Sequence, residues 1–136
     1  MRRKLWRPLV IVVLALPCLL GHGDGCCGGE DEVLGPPTET ECPDDSTLTY
    51  ENFGEQFFAD YCTRCHSADV TGSAREGAPS DHNFDTQFEA QALADHIDEA
   101  AGSGPASTNT AMPPDEPFPS MTEREQLAEW LACGAP

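Results

Sequence analysis

The chain is expected to fold as an all-α domain. Three stretches carry large apolar residues at helical spacing, and no stretch alternates apolar and polar residues as a half-buried strand does. The segments between them are rich in Gly, Pro and Ser, as connecting loops are. A chain of 136 residues allows one compact domain with some extra chain, and a second core is not expected.

The extra chain lies at the N-terminus. MRRKLWR is basic and is followed by PLVIVVLALPCLL, apolar but shorter than the roughly 20 residues a comfortable membrane span needs. Residues 1–25 therefore read as an export signal, of lipoprotein type if Cys26 is acylated. Cys26 follows Gly25 and resembles the acceptor cysteine of bacterial lipoproteins, although Gly23 and Asp24 depart from that box. Plain cleavage and an uncleaved anchor are the alternatives. Export places the mature chain outside the cytoplasm, in the periplasm, where cysteines can pair or be modified. Residues 26–41, rich in Gly, Pro and acids, are expected to form a linker, with the domain spanning 42–136.

Within the domain, Phe53, Phe57, Phe58 and Tyr61 recur at helical spacing in a segment that runs into CTRCH. Gly54 sits inside that helix at a cost of up to about 1 kcal/mol relative to Ala, which points to a close neighbour there. A second helix is expected over TQFEAQALADHIDEA, with Asp85 as N-cap, Phe88, Leu93, Ile97 and Ala100 facing inward, and Gly102 as the stop. The eighteen residues GSGPASTNTAMPPDEPFP hold no regular element, and a loop of that length in a small domain is functional or disordered. In the last helix Ser120 and Glu123 fit a capping box, Leu127, Trp130 and Leu131 form the apolar stripe, and Gly134 fits the end. So few short helices bury little apolar surface, and such domains need a disulfide, a metal or a cofactor.

Charge narrows the partners. The chain carries a formal net charge of −17, and beyond residue 25 only Arg64, Arg75 and Arg124 are positive. That excess argues against nucleic acid and anionic lipid surfaces and favours a protein partner with a basic docking face. Acidity that merely keeps an exported protein soluble is the alternative.

Cys62-x-x-Cys65-His66 admits several chemistries. Structural zinc needs four ligands, and Cys26, Cys27, Cys42 and Cys133 form no second C-x-x-C. A thioredoxin-like dithiol needs a strand before the motif, whereas a helical pattern leads into this one. A local disulfide with no further role stays open as well. The adjacent histidine favours covalent haem c: two thiols on one helical turn add to the two vinyl groups, and His66 presents an imidazole nitrogen to the iron.

The region from about Cys42 to Pro136 resembles the class I, mitochondrial-type, c-type cytochromes. Gly54, Phe58 and Cys62 match that family's G-x-x-x-F-x-x-x-C pattern, and Leu127 and Trp130 stand three apart as on the crossing C-terminal helix. The resemblance implies a cytochrome c-like fold of three or four short helices around one covalent haem. It implies covalent attachment through Cys62 and Cys65, His66 as proximal iron ligand and Met112 as distal ligand. Met121, His96 and His82 are rivals for the distal position; more simply, they are a packing methionine, a helix histidine and a solvated loop histidine. Gly77-Ala78-Pro79 is similar to the family's Gly-Pro segment with one residue inserted, which assigns the Pro79 carbonyl as acceptor for the His66 N–H.

Arg75 is a candidate to pair with a haem propionate, a free surface arginine being the alternative, and Arg64 is expected to face solvent. The family's crossing of first and last helices also implies a disulfide between Cys42 and Cys133. The functional expectation is a one-electron carrier that exchanges electrons with redox protein partners. A haem enzyme or gas sensor with an open sixth position, and a haem subunit of a membrane oxidoreductase, are the alternatives.

Overall fold

The computed structural model describes residues 34–136. The export signal, Cys26 and the first part of the linker lie outside the described residues. The described chain is all-α: a π-helical turn (Tyr50–Gly54) leads into α1 (Glu55–Tyr61), a short 3-10 turn (Gly72–Arg75) follows, then α2 (Gln87–Ala92), α3 (Ala94–Ala101) and α4 (Met121–Ala132). No strand is formed among the described residues, where Ser103 and Thr108 make a single isolated bridge. None of these helices is long and apolar enough to cross a membrane.

Local chemistry starts each helix. Thr49 and Asn52 form a reciprocal capping box ahead of the π turn, and Ser120 and Glu123 form the one expected ahead of α4. Thr86, not Asp85, caps α2: its hydroxyl accepts from Glu89 N, while the Asp85 carboxylate takes Ala68 N at 2.7 Å. The single helix expected over 86–100 is broken at Leu93, whose φ of −120° and ψ of 21° leave the helical region. Phe88, expected inside, is 77 % exposed. On so short a helix Ala90 takes the buried side, and Phe88, two positions away, lies about 200° round the axis.

The core gathers Phe57, Phe58, Phe84, Ile97, Leu127, Trp130 and Leu131, with Trp130 and Leu127 fully buried. Gly54 is buried directly against the Trp130 ring, which accounts for a glycine inside this helical run. α3 and α4 pack on each other. Cys42 and Cys133 are joined by a disulfide that spans 91 residues and ties the end of α4 to the chain ahead of the π turn.

Residues 34–41, expected as the end of the linker, lie hydrogen-bonded along α3 and the long loop. Gly35 N donates to Glu99 O, Thr38 donates through N and Oγ1 to the Asp98 carboxylate, and Asn109 Nδ2 donates to Pro36 O. Thr38 is 2 % exposed. These bonds extend the domain N-terminally of Cys42, and their partners stand too far along the chain for local composition to announce them.

Candidate functional site

The site begins where α1 ends. Cys62 caps the helix with its N–H on Phe58 O at 2.9 Å, and its own carbonyl then accepts from both Cys65 N (3.1 Å) and His66 N (2.9 Å). That single turn sets the two thiols and the imidazole side by side along the backbone. Cys62 also packs against the aromatic core, and neither Cys62 nor Cys65 is in a disulfide.

The thiols are held un-ionised. Burial pushes Cys62 up to about 12, with the charges of Arg64 and Arg124 acting weakly the other way. Burial also raises Cys65, as does Glu76, whose carboxylate lies 3.6 Å from its sulfur. A dithiol catalyst works through a thiolate, so this environment opposes that chemistry. Among the described residues no group of three or more His, Cys, Asp and Glu side chains is arranged to hold a metal ion.

His66 is oriented by a backbone carbonyl. Its Nδ1 lies 3.0 Å from His82 O, and because a carbonyl only accepts, Nδ1 carries the proton and Nε2 the lone pair. The ring packs against buried Phe84 at a centroid distance of 5.0 Å, and Phe84 N returns a bond to His66 O. The carbonyl expected to serve His66 was that of Pro79. It is taken instead by His82 N at 3.1 Å and Arg75 Nη2 at 2.5 Å. The inserted Ala78 and the turn over 79–82 advance the chain, so that His82 O arrives where a proline carbonyl was expected.

Arg75 is not the free surface arginine of the alternative expectation. It is 8 % exposed, and its guanidinium serves six acceptors. Nε donates to Ala78 O; Nη1 to Ser67 O, Val70 O and Asn83 Oδ1; Nη2 to Pro79 O and His82 O. Its five N–H groups are thus all engaged by acceptors of the chain itself.

Met112 lies in the long loop between α3 and α4. Partly buried, it packs against the core and is pinned through its backbone: Met112 N donates to Ala100 O on α3, and Met112 O accepts from Arg124 Nη1 on α4, both at 3.0 Å. Arg124 was not singled out from the sequence. It is 4 % exposed, also donates to Ala101 O and Asn109 O, and burial holds its pKa below the ordinary value. Its position three residues before buried Leu127 put it on the core face of α4, a signal available in the sequence.

Arg64 is exposed, as expected, and also bonds to the loop beyond Met112. It donates to Glu116 O and Asp115 O and pairs with the Asp115 carboxylate, so the cysteine turn is tied to the loop just beyond Met112. Met121 is 53 % exposed and so is not the packing residue expected. His82, expected to be solvated, is partly buried and holds His96 (Nε2 to Nδ1, 3.2 Å) and Asp81 (3.0 Å).

An all-α domain that offers two thiols and an oriented imidazole on one turn has the residues by which haem c is attached and its iron ligated. These features define a c-type cytochrome domain, a haem-containing electron-transfer protein. Residues 52–131 match the family model described as cytochrome C oxidase, cbb3-type, subunit III, and the chain belongs to that family. No curated protein and no solved structure matches it.

Proposed function

We propose that this protein is an exported, periplasmic, monohaem c-type cytochrome that carries one electron at a time, with His66 and Met112 as axial ligands of the iron and Cys62 and Cys65 as thioether anchors. The observation that carries this reading is the bond from His66 Nδ1 to His82 O, which commits one ring nitrogen and leaves the lone pair on the other. When bound, haem c supplies a reversible one-electron change between Fe(II) and Fe(III). The residues of this chain supply the rest. His66 would offer Nε2 to the iron, and Ala100 and Arg124 hold the backbone of Met112, whose soft thioether would favour the ferrous state as second ligand.

The net charge of −17 suits redox partners with a basic docking face. An acyl group on Cys26 would keep the carrier at the outer side of the membrane. The family description favours a second reading, a haem subunit held permanently in a membrane oxidoreductase. Size-exclusion of native membrane extracts separates the two, since a free shuttle elutes alone.

The central test is the purified protein and Met112→Ala. The wild type should carry one covalent haem by mass, and M112A should lose its low-spin His/Met spectrum and show a lower reduction potential. A wild type without covalent haem sinks the proposal, and an unchanged spectrum in M112A sinks the ligand assignment.

A further inference from the structure

Arg75 is a buried cation that, among the described residues, pairs with no carboxylate. Its charge is met by five backbone carbonyls and the Asn83 amide oxygen, drawn from both ends of the loop between His66 and Phe84. One short 3-10 turn is the only helical element in that loop, so backbone ladders do little to fix its carbonyls. The guanidinium organises it instead: Ser67 O and Val70 O on the outgoing limb and Pro79 O and His82 O on the returning limb converge on one side chain.

The shared acceptor matters most. His82 O accepts from Arg75 Nη2 at 3.1 Å and from His66 Nδ1 at 3.0 Å. We propose that Arg75 is a positioning residue for the axial histidine: it clamps the His82 carbonyl beneath His66 Nδ1 and thereby sets the orientation and donor strength of the imidazole. This rests on the reading of His66 as the iron ligand.

A carbonyl held in line with Nδ1–H increases the electron density of the ring and stabilises the ferric state. Lysine in place of Arg75 keeps the charge but offers three donors on a flexible stem, without the planar fork that spans both limbs. Arg75→Lys therefore separates geometry from charge. With the clamp lost, the His82 carbonyl drifts, the imidazole becomes a weaker donor, and the reduction potential rises.

The test uses the haem-loaded full chain. In the reduced, diamagnetic protein, solvent exchange of the His66 ring N–H is followed by NMR, and the potential is measured by redox titration. R75K should accelerate that exchange at least about tenfold, as expected for the loss of a buried hydrogen bond, and should raise the potential. A lower melting temperature with exchange and potential both at wild-type values means Arg75 merely stabilises the loop and overturns the proposal. If R75K does not fold, Asn83→Ala removes one acceptor and leaves the cation in place. It should accelerate the same exchange by about threefold, and wild-type exchange there overturns the proposal equally. Haem mass on the wild type is read first, so that a protein without covalent haem is charged to the site reading and an unresponsive R75K to Arg75 alone.

Discussion

A Cβ placed on Gly54 would stand 3.1 Å from Cζ2 of Trp130, a ring with no exposed surface, and 2.9 Å from Cδ2 of Tyr50. The tyrosine can swing aside, but the tryptophan is locked among Phe53, Phe58 and its own bond from Nε1 to Pro136 O. The end of the π turn meets α4 at this contact, and the cysteine turn sits one helix length beyond it.

Gly54→Val should therefore cost about 1–3 kcal/mol, the range of overpacked cores. Gly54→Ala regains up to about 1 kcal/mol of helix propensity and should lie nearer the wild type. Urea unfolding monitored through Trp130 fluorescence decides it, and a G54V midpoint equal to the wild type would mean the helices do not meet as tightly as described.

The Cys42–Cys133 bridge closes a loop of 91 residues around the whole helical domain. Loop-closure reasoning gives it about 4.6 kcal/mol as an upper figure. The double variant Cys42→Ser/Cys133→Ser should unfold at clearly lower urea. Alkylation of the native, unreduced protein at either cysteine would show that the bridge does not form.

What was legible in the sequence was what is local. α4 announces itself through Ser120, Glu123 and the Leu127–Trp130–Leu131 spacing, and the turn after α1 through two cysteines and a histidine at fixed offsets. The roles of Arg64 and Arg75 were not legible, because most of their partners are backbone carbonyls, and a carbonyl leaves no mark on residue type. His82 O serves His66 for the same reason: which carbonyl arrives depends on how the turn over 79–82 closes. Phe88 misled because a helix broken at Leu93 has too few residues to bury a second side, and composition does not show the break.

Arg64 ties the cysteine turn to Asp115 and Glu116, just past Met112. The pair is largely solvent-exposed, so Arg64→Ala should change global stability by no more than about 1 kcal/mol. Its effect should appear in the distal loop. On the proposed ligation of the iron by Met112, if that loop opens more readily by about 1 kcal/mol, added imidazole should compete with about fivefold higher apparent affinity. Identical imidazole titrations of R64A and wild type would remove Arg64 from any part in holding the loop.

Glu123 supplies the pH dependence. Bonds from the side chain and then the backbone of Ser120 hold its carboxyl below the ordinary 4.5; partial burial opposes them, and the Tyr61 hydroxyl, 2.9 Å away, adds to the lowering. A folded pKa below the unfolded one means the charged form is favoured by folding. This contribution is therefore complete above pH 4.5 and is lost as pH falls below that value through the folded pKa. Glu123 is only partly covered and water screens it, so its share is less than about 1 kcal/mol. Glu123→Gln keeps an amide able to close the capping box but cannot ionise. Its melting temperature should fall less steeply than the wild type's between pH 4.5 and the acid end of the titration. Parallel curves over that range would show that the Ser120 and Tyr61 bonds do not favour the charged carboxylate.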